Sequence, residues 1–389
     1  MATGRINLLF YITHINNLPS ILEKGILSHA KVVEENLEYT PIYAEDIVTG
    51  RESKTTPNGK SLWSFANLYF KARNPMLYRV ICEKNVNEIA IIGVGPGILN
   101  RDDIFITTGN AASYNTEILT AKEGKKIIPN IRKIINIEFW NLEDGSKRKI
   151  MAECLIPDAV PPRYVQTIYV SDHETSKKVK SLVSRIDIPV VVEPDMFFQP
   201  SRVTDITPNL SVVEGDMFFS RLQTLTVSVN CVGKMGKGLA SRAKFQFPDV
   251  YVRYESLCRK KILQMGKPYL YKRETSSDSE LADEPFTLRT YNSDTWFLLF
   301  PTKNHWRERA DFEGIKTGLI WVKENYLKEG VKSLAMPALG CGLGGLEWPE
   351  VGPLMVKNLK ELIIPVRVYL PTDKKINDDQ VTRDFLLGS

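Results

Sequence analysis

Between residues 62 and 170 the apolar residues come in short runs, rich in β-branched and aromatic side chains and broken by polar or turn-forming positions. Such runs predict strands at 62–70, 76–81, 89–92, 104–106, 131–139, 150–156 and 166–170. Helical spacing is confined here to two places. The first is 16–25, with Asn16 or Asn17 as its cap, Pro19 in its first turn, Gly25 as its stop and Leu18, Ile21 and Leu22 as its apolar face. The second is 176–186, after which 189–193 returns to strand. Residues 34–60 are polar and turn-rich and are expected to end in an exposed loop, so residues 1–195 read as a strand-rich α+β fold.

After residue 210 the pattern changes. Short apolar strands at 225–229, 297–300, 333–337 and 366–370 alternate with helical patterns at 239–247, 312–328 and 349–362. That alternation predicts an α/β sheet covered on both faces. Between the two regions, 193–208 holds Pro194, Pro200 and Pro208 and no sustained period. The expected organisation is a first domain at 1–198, a linker at 199–209 and a second domain at 210–389.

Composition narrows the function classes without choosing one. With 43% hydrophobic and 25% charged residues the 389-residue chain is that of a globular protein, and no apolar run approaches the length of a membrane span. No secretory signal pattern is present and the five cysteines are scattered without a C-x-x-C, so a cytoplasmic protein without a metal site is expected. The net charge of +5 is too mild to demand nucleic acid, although Lys122/Lys125/Lys126, Arg132/Lys133 and Lys147–Arg148–Lys149 form local basic clusters.

Two glycine-rich turns carry the chemistry of the second half. Asn230-Cys-Val-Gly233-Lys-Met-Gly236-Lys-Gly238 follows a strand and opens a helix, and so does Pro337-Ala-Leu-Gly340-Cys-Gly-Leu-Gly-Gly345-Leu. Glycines let backbone N–H groups approach a phosphate, and a helix N-terminus adds its positive end. With Glu214-Gly-Asp216, these motifs make 210–370 resemble the macrodomains, three-layer α/β/α folds with a mixed sheet that bind ADP-ribose. The resemblance implies that Asp216 accepts from the adenine amino group and that Asn230 faces the distal ribose. It assigns the phosphates to Gly236 and Gly238 of one loop and to Gly340, Cys341, Gly342, Leu343, Gly344, Gly345 and Leu346 of the other. Ser228 stands where many macrodomains carry a second Asn. Phe300-Pro-Thr-Lys303-Asn-His-Trp306 is similar to the DarG-type antitoxin macrodomains, which remove ADP-ribose from DNA bases. There Lys303 would attack the anomeric carbon or protonate the departing base.

In the first half Glu153 interrupts the apolar run 150–156, a costly place for a carboxylate that has no partner or task. Together with Tyr11-Ile-Thr-His14-Ile-Asn16-Asn, Arg73-Asn-Pro-Met76, Ile106-Thr-Thr-Gly-Asn-Ala-Ala112 and Ala152-Glu-Cys-Leu-Ile-Pro, it makes 5–195 resemble the DarT-type toxins. These are ADP-ribosyltransferases that act on DNA bases. Thr108 departs from the Asp common at that point of the family. The resemblance implies NAD as substrate, with Glu153 stabilising an oxocarbenium-like ribose and helping to deprotonate the attacking base. Arg73 would hold the pyrophosphate or polarise a ring oxygen of the base, and His14, beside Asn16, would hold the ribose or amide end of NAD. Tyr43, Trp63, Tyr69 and Tyr114 are candidates for stacking on single-stranded DNA.

The expected function is therefore a fusion whose first domain moves ADP-ribose from NAD to a DNA base, thymidine by resemblance, and whose second removes it. Each domain acts on the other's product, with NAD, ADP-ribose and single-stranded DNA as partners and neither metal nor membrane involved. An ADP-ribose reader with a degenerate transferase fold, and an enzyme pair acting on protein side chains, are the alternatives.

Overall fold

The computed structural model describes residues 6–43, 50–285, 288 and 294–388. It divides into two units, one made of Met1–Phe197 and Leu281–Thr290, the other of Phe198–Glu280 and Tyr291–Ser389. The first unit is thus built from two stretches of chain.

Its centre is an eight-stranded sheet. In spatial order the strands are Val190–Val192, Val165–Val170, Ile89–Val94, Leu9–His14, Phe65–Tyr69, Glu153–Pro157, Phe105–Thr107 and Ile118–Thr120. All neighbours are antiparallel except the first pair. Period-two alternation sends Cys154 and Ile156 into the main core with Leu9, Leu68, Ile92 and Ile168. Leu155 faces a smaller cluster of Leu62, Phe65, Phe105 and Ala111, and Glu153 shares that face. Leu9–His14 pairs with Ile89–Val94 along six positions but with Phe65–Tyr69 only at Phe10↔Tyr69, so those two central strands part on one side.

Two expectations for this unit need correction. Residues 76–81 are not a strand but lie in the helix Pro75–Glu83, which starts where the Asn74 side chain accepts from the Leu77 N–H. Residues 131–139 are not a strand either: the helix Ala121–Ile135, opened by a Thr120/Glu123 capping box, carries Ile127, Ile128, Ile131 and Ile135 on its packed face. A run of β-branched residues suggests a strand, but here the spacing of three and four decides. The polar stretch 34–60 does end in an exposed loop at 57–60, and it also delivers Arg51 to a buried carboxylate.

The second unit has a seven-stranded mixed sheet in the order Arg202–Thr207, Leu210–Glu214, Val366–Tyr369, Leu334–Pro337, Thr224–Asn230, Trp296–Lys303 and Tyr269–Tyr271. The central pairings are parallel and both edge strands antiparallel. Strand Trp296–Lys303 shows why both faces must be covered. Phe297 and Leu299 point into one core, with helices Gly238–Gln246 and Pro248–Arg259. Leu298 and Phe300 point into the other, with helices Phe312–Asn325 and Trp348–Leu359. The three-layer architecture follows. Residues 199–209, expected as a linker, contain the edge strand Arg202–Thr207, which pairs with Leu210–Glu214 and whose mostly polar, half-exposed side chains hide its strand character.

Candidate active sites

In the first unit Glu153 opens its strand with a side chain that is 0% exposed. Three donors satisfy it: Arg51 Nη2 at 2.9 Å, Arg51 Nη1 at 3.4 Å, and the Ala111 N–H at 2.8 Å. Its backbone N–H donates to Thr107 Oγ1, 2.8 Å away, whose own hydroxyl donates to the Gly109 carbonyl at 2.6 Å and so shapes the turn leading to Ala111. Burial works against the Arg51 charge, but the Glu153 carboxylate holds its pKa above the usual value. Tyr69 lies beside Glu153 in register, and its phenol is pushed well up by burial and then by that carboxylate. A forked pair of this kind, with the carboxylate wholly buried and the guanidinium 19% exposed, is costly to break from either side.

Arg51 is a candidate site residue that the sequence did not single out, being one of three cations, with Lys54 and Lys60, in the polar run 34–60. Arg73 goes elsewhere: its Nε donates to the Asp195 carbonyl at 3.0 Å and its guanidinium lies 3.7 Å from the Asp195 carboxylate. His14 caps the turn Ile15–Asn17, accepting the Asn16 N–H at Nδ1 (3.1 Å), and burial lowers its pKa. The Asn16 side chain is exposed. By the strand register His14 lies four residues along from the Phe10↔Tyr69 position that neighbours Glu153, about 14 Å at strand rise. Tyr114 is 97% exposed, three residues after Ala111, with Lys54 Nζ 4.4 Å from its ring centroid. Of the other stacking candidates Tyr69 is buried, while Tyr43 and Trp63 are half-buried.

In the second unit the candidate residues gather at the C-terminal ends of adjacent parallel strands, where open sheets bind ligands. Asn230 and Lys303 are register partners at the ends of Thr224–Asn230 and Trp296–Lys303. Asn230 is buried and shapes the first loop: its Oδ1 accepts from the Val232 N–H at 3.0 Å, the Lys234 N–H at 3.3 Å and the Tyr254 hydroxyl at 2.8 Å, and its Nδ2 donates to the Lys234 carbonyl. Lys303 Nζ donates to the Glu308 carbonyl at 2.9 Å and to the Leu343 carbonyl at 3.3 Å, which ties it to the second loop. That loop turns on Gly340 (φ 74°) and Gly345 (φ 75°), and a methyl at Gly344 would sit 2.4 Å from the Gly340 carbonyl oxygen.

The two loops approach closely, since a methyl at Gly238 would lie 3.1 Å from Leu343 Cδ1. Gly236 and Gly342 have open space around them. Cys341 and Leu346 are buried beneath the second loop, and burial pushes the Cys341 thiol up to about 12. The helix that follows the first loop begins without a side-chain cap, leaving first-turn N–H groups for an anion, whereas the helix after the second loop has Pro349 in its first turn and its Glu350 N–H on the Glu347 carbonyl. Asp216 accepts from the Phe218 N–H at 3.2 Å and from Arg242 Nη1 at 2.8 Å on each oxygen, so Arg242 positions it. Among the described residues no cluster of three or more His, Cys, Asp or Glu is arranged to hold a metal, and no helix is long and apolar enough to cross a membrane.

With this geometry in hand, comparison with known proteins is specific. Residues 10–198 match the family model of DarT, the ssDNA thymidine ADP-ribosyltransferase. A DNA ADP-ribosyl transferase–DNA ADP-ribosyl glycohydrolase fusion protein of Thermosipho africanus is 56% identical over 386 residues, 99% of each chain. The solved structure of Thermosipho africanus DarTG in complex with ADP-ribose superposes with a TM-score of 0.93 at 55% identity, covering 98% of this chain and 100% of that one. A DNA ADP-ribosyl glycohydrolase of Thermus aquaticus is 34% identical over 165 residues, 42% of each chain. The chain belongs to the family of DarT–DarG fusions, a DNA ADP-ribosyltransferase joined to a DNA ADP-ribosyl glycohydrolase macrodomain.

Proposed function

We propose that the first unit transfers ADP-ribose from NAD to a thymidine base in single-stranded DNA and that the macrodomain removes it. The observation that carries the first half of this reading is the wholly buried Glu153 carboxylate, held by the Arg51 fork and the Ala111 N–H. As the bond from ribose to nicotinamide breaks, the electron pair leaves with nicotinamide and the ribose gains oxocarbenium character. Glu153, bound to the ribose 2-hydroxyl, stabilises that cation, and it accepts the proton that the attacking base nitrogen loses. Arg51 orients the carboxylate and offers its remaining N–H groups to a carbonyl oxygen of the base. The parting of the strands beyond Phe10↔Tyr69 supplies the opening for NAD, with His14 and Asn16 assigned to its amide end and Arg73 to its pyrophosphate. Tyr114 and Lys54 serve as a stacking and phosphate platform for the DNA.

In the macrodomain the loops at 233–238 and 340–346 hold the pyrophosphate, Asp216 the adenine and Asn230 the distal ribose. Lys303 acts at the anomeric carbon, as nucleophile or as acid to the departing base, and water completes the hydrolysis. These substrates, and the lack of any disulfide among the described residues, suit the cytoplasm.

One time course tests both halves. With NAD and a thymidine-containing oligonucleotide, Lys303→Ala protein should accumulate ADP-ribosylated DNA, and Glu153→Ala protein none. On pre-modified DNA the parent should release ADP-ribose and Lys303→Ala should not, while borohydride trapping of a lysine adduct would identify the nucleophilic route. A second reading is favoured by the two carbonyls on Lys303 Nζ: a loop clamp in a protein that only reads ADP-ribose. Equal removal by parent and Lys303→Ala, with weakened ADP-ribose affinity in the variant, selects it.

A further inference from the structure

The segment 281–285 belongs to the transferase unit although residues 198–280 of the other unit precede it in the chain. It is built in. Leu281 and Ala282 are fully buried, and the Asp283 N–H donates to the Pro75 carbonyl at 3.1 Å. Arg79 Nη1 donates to the carbonyls of Asp283 at 3.5 Å and Glu284 at 3.3 Å. Glu284 sits at φ 42°, a conformation that residues other than glycine keep only where their surroundings hold them.

The Asp283 carboxylate reaches one residue that matters for the chemistry. Asn110 donates from Nδ2 to Asp283 Oδ2 at 3.1 Å, while its Oδ1 accepts from the Ala112 N–H at 2.9 Å. Between them stands Ala111, whose N–H holds Glu153 at 2.8 Å. An ionised carboxylate only accepts, so Asp283 dictates which end of the Asn110 amide faces it and leaves the oxygen for Ala112.

Resting on the transferase reading above, we propose that Asp283 is a positioning residue of that reaction: through the Asn110 side chain it fixes the turn that presents the Ala111 N–H to Glu153. Without the acceptor at 283 the amide loses one of its two anchors, and the turn can drift from the carboxylate. Small misplacements at reacting groups cost large factors in rate.

The test uses the full chain and counts nicotinamide released from NAD in the presence of a thymidine-containing single-stranded oligonucleotide, which registers each transfer whether or not the mark is later removed. Asp283→Ala should lower kcat about tenfold with the KM for NAD within about twofold. Asp283→Asn, which keeps an acceptor oxygen for Asn110, should return kcat to within about twofold of the parent. Asn110→Ala should reproduce the loss, and the double variant should fall no further than either single one. The proposal is overturned by parental or raised kcat in Asp283→Ala, by equal losses in the Ala and Asn variants alongside an equal fall in melting temperature, or by additive losses in the double variant. Glu153→Ala in the same assay separates the two levels. A parent no more active than Glu153→Ala sinks the transferase reading, and an active parent matched by Asp283→Ala sinks the role of Asp283 alone.

Discussion

The two sites of this chain are made in different ways. The macrodomain site is largely backbone: two loops at neighbouring strand ends, bent by glycines with positive φ, with Asn230 and Tyr254 tying one loop and Lys303 and Arg309 tying the other. The candidate transferase site rests on charged side chains from distant parts of the chain, with Arg51 and the backbone N–H of Ala111 meeting Glu153 and Asp283 standing behind them. A backbone site should fail when a methyl group is added. A side-chain site should fail when a charge is removed.

The largest effect expected is at Arg51. Arg51→Ala leaves Glu153 buried without its counter-charge, so nicotinamide release should fall by roughly 10²–10³-fold, and the first unit should lose about 3–5 kcal/mol of stability. Arg51→Lys should rescue little, because an ammonium cannot make the fork. Full activity in Arg51→Ala would leave Glu153 supported by the Ala111 N–H alone and would remove the contrast between the sites.

Next in size is the glycine series. Gly344→Ala pushes a methyl into the Gly340 carbonyl and should weaken ADP-ribose binding, measured by calorimetry, about tenfold or more, in line with ~1–3 kcal/mol for overpacking. Gly342→Ala, in open space, should stay within about twofold. Similar losses at both positions would mean that the loop needs flexibility and not close approach.

Tyr114→Ala should raise the KM for the oligonucleotide by about three- to tenfold while leaving the KM for NAD unchanged, as expected for one partly formed base stack. An unchanged oligonucleotide KM would remove Tyr114 from the DNA path.

The last effect is a pH dependence of stability. Burial, then Glu284 and Glu153, opposed by Lys147 and Arg79, raises the Asp283 carboxyl from 3.8 to about 6. Between those values the folded chain keeps a proton that the unfolded chain has lost, so this group's contribution to stability falls as pH rises through the window and stays lower above it. Thermal melts should show Asp283→Asn gaining on the parent by on the order of 1–2 kcal/mol between roughly pH 4 and 6. Parallel curves would place Asp283 in a more solvated setting.

Sequence alone picked out the candidate loops of the macrodomain, because each is encoded locally. A strand, a glycine turn and a helix start are set by residues within a dozen positions of one another, and Asn230, Lys303 and the 340–346 loop could be named before any fold was known. It also singled out Glu153, because a carboxylate among Met151, Ala152, Cys154 and Leu155 is conspicuous. What surrounds Glu153 was decided only in three dimensions. Nothing local distinguishes Arg51 from other cations in a polar run, or Asp283 from other acids in the second half, and Arg73 is as plausible in sequence as Arg51. Their selection depends on which strands pair, where the Asn110 turn closes and which segment fills the space beside Pro75 and Arg79. The edge strand Arg202–Thr207 was hidden in the same way, because pairing across the fold outweighed local composition, whereas the helix Ala121–Ile135 was encoded locally by its spacing and its Thr120/Glu123 capping box. Local backbone geometry is encoded by neighbours in the chain, whereas the partner of a buried charge is chosen by the closure of the whole fold.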